Sequence, residues 1–450
     1  MLKKNYGLGD KVDRLSTLPV DILCHILSFL PTKISVSTSI LSKRWRSIWA
    51  HVPTLDFDLS DYGTVTAGIS NIVSRVMSLH KAQTLDSLRL VFPDCNDFEL
   101  ETMIIIAAPR NVKNLHIELD SELTLPRCLF TIATLVRLRI TGCPCYYKTG
   151  GNVHLPCLKY LYLDYFQCQV DEDLPRLLSG CPVLEELILD CVSFAEKKSG
   201  CFNLSSSSLK RLTVIMGENV YDFDDDLHCR VEINAPALVY LMMCRMIRNI
   251  SVSLMTSLVE ADIDMLCRAM DDPDDHYISM VKFIDCLCHV KCLSLSGIYD
   301  KKFVDMALAG PIIRFDNLKK LVYRPCIQTQ CKGQDWHLFG KLLKVANNLE
   351  VLHMSHFSCL GSKDIYRCWE EQVPACVSSH LKTIRIYGMT TVESEQHYLV
   401  RYLFENAKVL EKMEIYFECD SGSFTEQSTE LVEFLSSFVR GSEACELVVH

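Results

Sequence analysis

Between residues 84 and 415 the chain repeats one apolar pattern thirteen times: residues at i, i+3 and i+5 are apolar and those between them are mostly polar. The copies are TLDSLRL, NVKNLHI, TLVRLRI, CLKYLYL, VLEELIL, SLKRLTV, ALVYLMM, SLVEADI, HVKCLSL, NLKKLVY, NLEVLHM, HLKTIRI and VLEKMEI. Their first apolar positions run from 85 to 410, a mean step of about 27 residues. The i+3 and i+5 side chains share one face of a short strand, because strand side chains alternate. One strand cannot bury that face alone, whereas stacked parallel copies bury it continuously. SLVEADI is the weakest copy, with Ala261 where the others carry a larger apolar residue.

Helical patterns separate several of these strands. DEDLPRLLSG opens on acids and closes on Gly180, as a helix start and stop should. HYISMVKFIDCLCHVKCL, DWHLFGKLLKVANNLEVL and ESEQHYLVRYLFENAKVLEKM follow the same plan. The pattern predicts an α/β fold: a curved solenoid with a parallel sheet on its concave face and helices on its convex face.

Residues 18–58 read differently. Pro19 suits a first helical position, and Ile22, Leu23, Ile26, Leu27 and Leu30 recur at helical spacing up to Pro31. A second apolar set is Ile34, Val36, Ile40 and Leu41. In ILSKRWRSIW, helical geometry puts Leu41, Trp45, Ile48 and Trp49 on one side and Lys43 and Arg46 opposite. This predicts a small three-helix head whose core is marginal alone and needs a partner surface.

Composition narrows the function. The 450 residues are 49% hydrophobic with a net charge of −10, so the strongly basic body of a nucleic-acid binder is absent. Residues 1–60 are net +3, which leaves an acidic remainder. MLKKNYGLGDKVDRLS has no apolar signal region, and no apolar run is long enough to span a membrane. The 23 cysteines are therefore expected to be reduced, small and mostly buried, in the nucleus or cytoplasm.

The head carries a family resemblance. Leu18-Pro19, Ile22-Leu23, Ile26-Leu27, Phe29-Leu30-Pro31 and Ser39-Ile40-Leu41-Ser42-Lys43-Arg44-Trp45-Arg46 with Trp49, after DRLSTLP, resemble the F-box motif of plant proteins. ISVS at 34–37 departs from the acidic, alanine and basic residues usual there. Residues 373–417, with SSF and CELVV between 436 and 449, resemble the FBD module that ends many F-box proteins with leucine-rich repeats. The expected organisation is a disordered 1–12, an F-box at 13–60, leucine-rich repeats at 61–372 and an FBD continuation at 373–450. The resemblance implies docking on a Skp-type adaptor, and through it on a cullin–RING ubiquitin ligase, with a protein substrate held by the repeats. It implies that Leu18, Pro19, Ile22, Leu23, Ile26, Leu27, Leu41, Trp45 and Trp49 form or support the adaptor surface. Two alternatives share this architecture: a hormone-type small-molecule co-receptor, and an interaction scaffold with no ligase role.

No catalytic, cofactor or metal role is expected. G-x-x-x-x-G-K-[ST], G-x-S-x-G and H-E-x-x-H do not occur. Cys143-Pro-Cys145 and Cys286-Leu-Cys288 lack zinc-site spacing, and the acidic runs 222–226 and 271–275 lack the calcium-loop pattern. Binding chemistry is expected instead at strand positions between the core residues, which alternation sends to the concave face. Arg137, Arg139, Tyr160, Tyr162, Asp164, Glu186, Asp190, Arg211 and Tyr240 are the candidate substrate-contact residues there, since tyrosine and arginine dominate interface energetics.

Overall fold

Burial fixes the strand register. In all thirteen copies the residues at i, i+3 and i+5 are at most 3% exposed, Ala261 included. The computed structural model describes residues 15, 17–58, 69–92, 95–142, 144–147, 151–194, 199–216, 228–244, 249–253, 255–265, 274–297, 306, 314–324, 335–355, 372–389, 396–417 and 432–450. The expected disordered segment 1–12, Cys143 and the acidic residues 222–226 and 271–273 lie outside them. The chain divides into two units, Met1–Tyr165 and Phe166–His450.

In the first unit, α1 (Val20–Leu27) and α2 (Thr32–Ser37) precede β1 (Thr54–Asp58). Then come α3 (Ile69–Leu79), β2 (Ser87–Phe92), α4 (Asp97–Ala107), β3 (Asn114–Leu119), β4 (Leu123–Leu125), β5 (Arg137–Gly142), β6 (Cys145–Tyr147) and β7 (Tyr160–Asp164). Strands β1, β2, β3, β5 and β7 pair in parallel in that order, and β4 pairs with β6. Helix α4 starts with a capping box: Glu99 N–H donates to Asn96 Oδ1 at 3.0 Å, and Asn96 N–H donates to Glu99 Oε2 at 3.3 Å.

The second unit continues with β8 (Phe166–Cys168), α5 (Asp173–Ser179), β9 (Glu186–Phe194), β10 (Ser199–Ser205), β11 (Arg211–Met216), β12 (His228–Asn234), β13 (Tyr240–Cys244), β14 (Asn249–Val252) and β15 (Glu260–Asp264). It ends with α6 (Asp274–Cys286), β16 (Cys292–Ser296), β17 (Lys320–Arg324), α7 (Asp335–Val345), β18 (Val351–Ser355), α8 (Ala375–Ser379), β19 (Thr383–Met389), α9 (Gln396–Asn406), β20 (Lys412–Phe417) and β21 (Glu446–Val449). Strands β9, β11, β13 and β15 to β21 form one parallel ladder. The helices expected from the four quoted segments are α5, α6, α7 and α9. Between β9 and β15, however, the described residues between the ladder strands form a second parallel sheet, β10-β12-β14, and no helix. Its alternating Phe202, Leu204, Val231 and Ile233 are buried.

The head departs from expectation at its third element. Residues 41–47 form turns, and only Ile48–His51 winds, as a 3₁₀ helix. Backbone bonds there close at three residues, Trp45 N–H to Ser42 O at 3.1 Å and Ala50 N–H to Ser47 O at 3.2 Å. Just upstream, the Thr38 and Ser39 hydroxyls donate to the Ser35 and Val36 carbonyls, both at 2.6 Å, competing with a longer helix. A period near three turns Trp45 and Ile48 inward and leaves Leu41 63% exposed. Leu23, Cys24, Leu27, Trp45, Ile48 and Val52 make the core, with Leu18 and Trp49 packed on it. The ISVS segment forms the last four residues of α2. Ser35 is buried and donates to Leu27 O at 3.2 Å, while Ile34 stays exposed.

The head is joined directly to the ladder. Thr54 of β1 donates through Oγ1 to Ser28 O at 3.0 Å, and Asp56 N–H donates to Thr32 Oγ1 at 2.8 Å. Lys81 and Ala82 N–H both donate to Ala50 O, at 2.7 and 3.1 Å. Buried His80 contacts Val52 O through Nε2 at 2.8 Å and Arg110 Nη1 through Nδ1 at 3.0 Å. Arginine only donates, so Nδ1 accepts and Nε2 carries the proton. Burial first, then Arg110 and His51, push the His80 pKa down, which suits this neutral form.

The described cysteines are all free thiols. Burial pushes Cys145, Cys181 and Cys376 up to about 12, so they serve as core residues and not as nucleophiles. Among the described residues no helix is long and apolar enough to cross a membrane.

Candidate functional site

Two surfaces combine exposure with interface chemistry. The first is on the head. Of the residues the F-box resemblance points to, Leu23, Leu27 and Trp45 lie in the head core, and Leu18 and Trp49 are half-buried against it. Pro19, Ile22, Ile26 and Leu41 are exposed. Phe29, Ile34 and Ile40 join them in the open, Phe29 at 75% and Ile40 at 88%. A side chain of that size left in water forgoes about 1.5–3 kcal/mol of burial. Six such residues, Ile22, Ile26, Phe29, Ile34, Ile40 and Leu41, fall within twenty positions and make an exposed apolar surface.

The second surface is the polar face of the ladders. In-register parallel pairing sets equivalent residues of neighbouring strands side by side. In the first unit one row reads Asp56, Arg89, His116, Arg139, Tyr162, and the row beside it contains Asn114, Arg137 and Tyr160. Arg137 stacks its guanidinium over the Tyr160 ring at 3.9 Å, and Arg139 over Tyr162 at 4.0 Å. Arg89 is held differently, with Asp56 at 3.1 Å and Asp58 and Glu118 at 3.4 Å. Burial first, and then Arg139 and Arg89, lower the His116 pKa, so this histidine is neutral between two cations. Asp164, half-buried, accepts from Gly142 N–H at 3.5 Å.

In the second unit Arg211 stacks on Tyr240 at 4.1 Å and faces Glu186 at 3.8 Å. Asp190 lies farther along β9, half-buried. The nine candidate residues therefore fall into two sets, five in the first unit and four in the second, and all six arginines and tyrosines among them are paired in cation–π contacts.

A further cluster occupies the last rungs of the second unit. Tyr387, Tyr416 and His450 stack in sequence with ring centroids 4.4 and 4.6 Å apart. Beside them Glu414 accepts from Lys412 at 2.6 Å and from Arg385, whose Nη1 also donates to His353 Nε2 at 3.4 Å. These aromatics sit at i+6, one position beyond the repeat signature, where only the periodic alignment of the copies would have revealed them.

The electrostatics of this cluster give a pH prediction. Hydrogen bonds from Lys412 and then Arg385 hold the Glu414 pKa down from 4.5 to about 2. Burial, with Lys320 and Arg385 nearby, takes His353 from 6.5 to about 4. Both groups bind protons more readily in the unfolded chain, so each supplies stability that acid removes. We expect thermal unfolding of this region to weaken first as pH falls from about 6.5 toward 4, through His353, and again from about 4.5 toward 2, through Glu414. Glu414→Gln should shrink the lower step and, by removing a carboxylate that raises His353, extend the upper one to lower pH. A midpoint flat across both windows would contradict these placements.

Comparison with known proteins places these surfaces in a family. Residues 15–56 match the F-box domain, 100–261 match the leucine-rich repeats of the FBD-associated F-box protein At5g56370, and 370–415 match the FBD domain. Over 97% of its length the chain is 32% identical to the F-box/LRR-repeat protein At4g14096 of Arabidopsis thaliana, covering 95% of that protein. The chain belongs to the F-box/FBD/LRR-repeat family. F-box/FBD/LRR-repeat protein At5g22660 of the same plant is 29% identical over 97% of the chain and 96% of its own length, and FBD-associated F-box protein At3g52670 is 29% identical over 99% of each. In this F-box/FBD/LRR-repeat chain the F-box match ends inside β1. The FBD match takes in α8, β19, α9 and most of β20, where the Arg385–Glu414 pair and Tyr387 lie.

Proposed function

We propose that the chain is the substrate-recognition subunit of an SCF-type ubiquitin ligase: the head docks a Skp-type adaptor, and the ladder face holds a protein substrate. The observation that carries this reading is the exposed apolar set of Ile22, Ile26, Phe29, Ile34, Ile40 and Leu41 above a head core that is already complete. These side chains are spare for the fold, and an F-box match overlies them. The chain itself performs no chemistry in this reading. It raises the effective concentration of substrate at the ligase, in the nucleus or cytoplasm.

Co-purification with a Skp-type adaptor tests the proposal. Ile26→Asp with Leu41→Asp should weaken adaptor capture about 100-fold, as loss of two interface anchors does, while the melting temperature stays put. Failure of the parent chain to form the complex, or capture unaffected by both substitutions, would overturn it.

A further inference from the structure

The ladder-face arginines divide into two kinds. Arg89, Arg211, Arg324 and Arg385 each face a carboxylate, from Asp56, Glu186, Asp262 and Glu414 respectively. Arg137 and Arg139 face none: among the described residues no carboxylate lies within ion-pair distance of either. Each instead holds its guanidinium over a tyrosine ring of the next strand, 3.9 and 4.0 Å from the ring centroid. A guanidinium over a ring keeps its N–H donors, five per arginine, at its edge, and among the described residues none of them has a protein acceptor. The contact restrains each side chain, so a bidentate acceptor meets donors that are already held in place.

Spacing gives this pair a shape. Arg137 and Arg139 lie on the same face of β5, one two-residue step apart, which is about 6.6 Å along a strand. That equals the spacing of side chains at i and i+2 on an extended peptide. Both edges of β5 are occupied, by β3 and β7, so a peptide cannot join as another strand and must lie across the face, recognised by its side chains. The next position on β5 is Thr141, with Glu118 beside it in register and Asp164 on the far flank. That end of the site repels a further acid.

We propose that Arg137 and Arg139 form a receptor for an extended peptide segment carrying two anionic side chains at i and i+2. The acceptors are two carboxylates, or phosphates on the same spacing. This deepens the reading of the ladder face as the substrate side and rests on it.

A degenerate peptide library presented to the purified full chain tests the proposal. Glutamate pairs at i and i+2 are enriched over pairs at i, i+1 and i, i+3, and acids are depleted two positions beyond one end of the pair. Arg137→Gln with Arg139→Gln abolishes the enrichment and weakens the best selected peptide about tenfold or more, as loss of charge-assisted hydrogen bonds does. The control Arg75→Gln with Lys408→Gln removes the same charge from exposed positions elsewhere and leaves selection intact. A second library with phosphoserine for glutamate at the paired positions shows which anion is preferred. Flat selection in both libraries, enrichment that survives Arg137→Gln with Arg139→Gln, or equal loss in the control overturns the proposal. The readout does not use the adaptor, so flat selection with adaptor capture intact removes this inference and leaves the head's role standing.

Discussion

Gly142→Ala should destabilise the first unit by more than about 3 kcal/mol, a large loss for one methyl group. Gly142 ends β5 at φ +112°, a backbone conformation that disfavours any residue with a Cβ. A Cβ there would sit 1.8 Å from the Leu119 carbonyl oxygen and 2.8 Å from its carbon. These are backbone atoms of β3, the strand paired with β5 at this rung, so no side-chain rotation relieves the overlap. The strands must separate or the backbone at Gly142 must rebuild. Urea unfolding followed by amide exchange in β3 and β5 measures the effect. A variant within about 1 kcal/mol of the parent would show that this end of β5 can relax. Because β5 carries Arg137 and Arg139, peptide selection should fall along with protection.

Leu27→Ala should cost the head about 2–5 kcal/mol, the usual range for emptying a buried leucine site. Leu27 is 1% exposed and lies among only six core residues. A core that small has little reserve, so the head should lose order while the ladder keeps its own. Adaptor capture would then disappear for a different reason than in Leu41→Asp, where the fold remains and the contact is lost. Hydrogen exchange over residues 18–52 separates the two: faster in Leu27→Ala, unchanged in Leu41→Asp. Equal protection in both variants would place Leu27 outside the core.

The ladder was readable because its burial demand repeats. Leu158, Leu161 and Leu163, or Leu184, Leu187 and Leu189, can be buried together only on stacked parallel strands, and the sequence states that pattern thirteen times. Helices α5, α6, α7 and α9 were readable from apolar spacing between end signals. The turn-rich third element of the head was not, because apolar spacing at 41–49 fits a helix as well as it fits turns. Serine and threonine hydroxyls, with the packing of Trp45 and Ile48, decide between them. The β10-β12-β14 sheet was also hidden: SGCFNLS alternates weakly, and its pairing is between residues about 30 apart. The candidate arginines and tyrosines could be placed on one strand face from alternation alone. Their pairing, Arg137 with Tyr160 and Arg139 with Tyr162, depends on zero stagger between β5 and β7. The same zero stagger stacks Tyr387 on Tyr416 at a position the leucine pattern does not cover.

Strand β1 lies within the sequence segment assigned to the head, yet it is the first rung of the ladder. Its Thr54 and Asp56 are bonded back to Ser28 and Thr32, so no free linker intervenes between head and repeats in the first unit. Mechanically the two are one lever. Torque applied where the head is gripped passes through β1 into β2 and β3 without a hinge to absorb it, and whatever β5 carries swings through a fixed arc. Inserting a few glycines after Asp58 would leave that lever intact, because β1 lies before the insertion. Inserting them after Val52 would loosen it, leaving the Lys81 and Ala82 bonds to Ala50 to hold the head to the ladder.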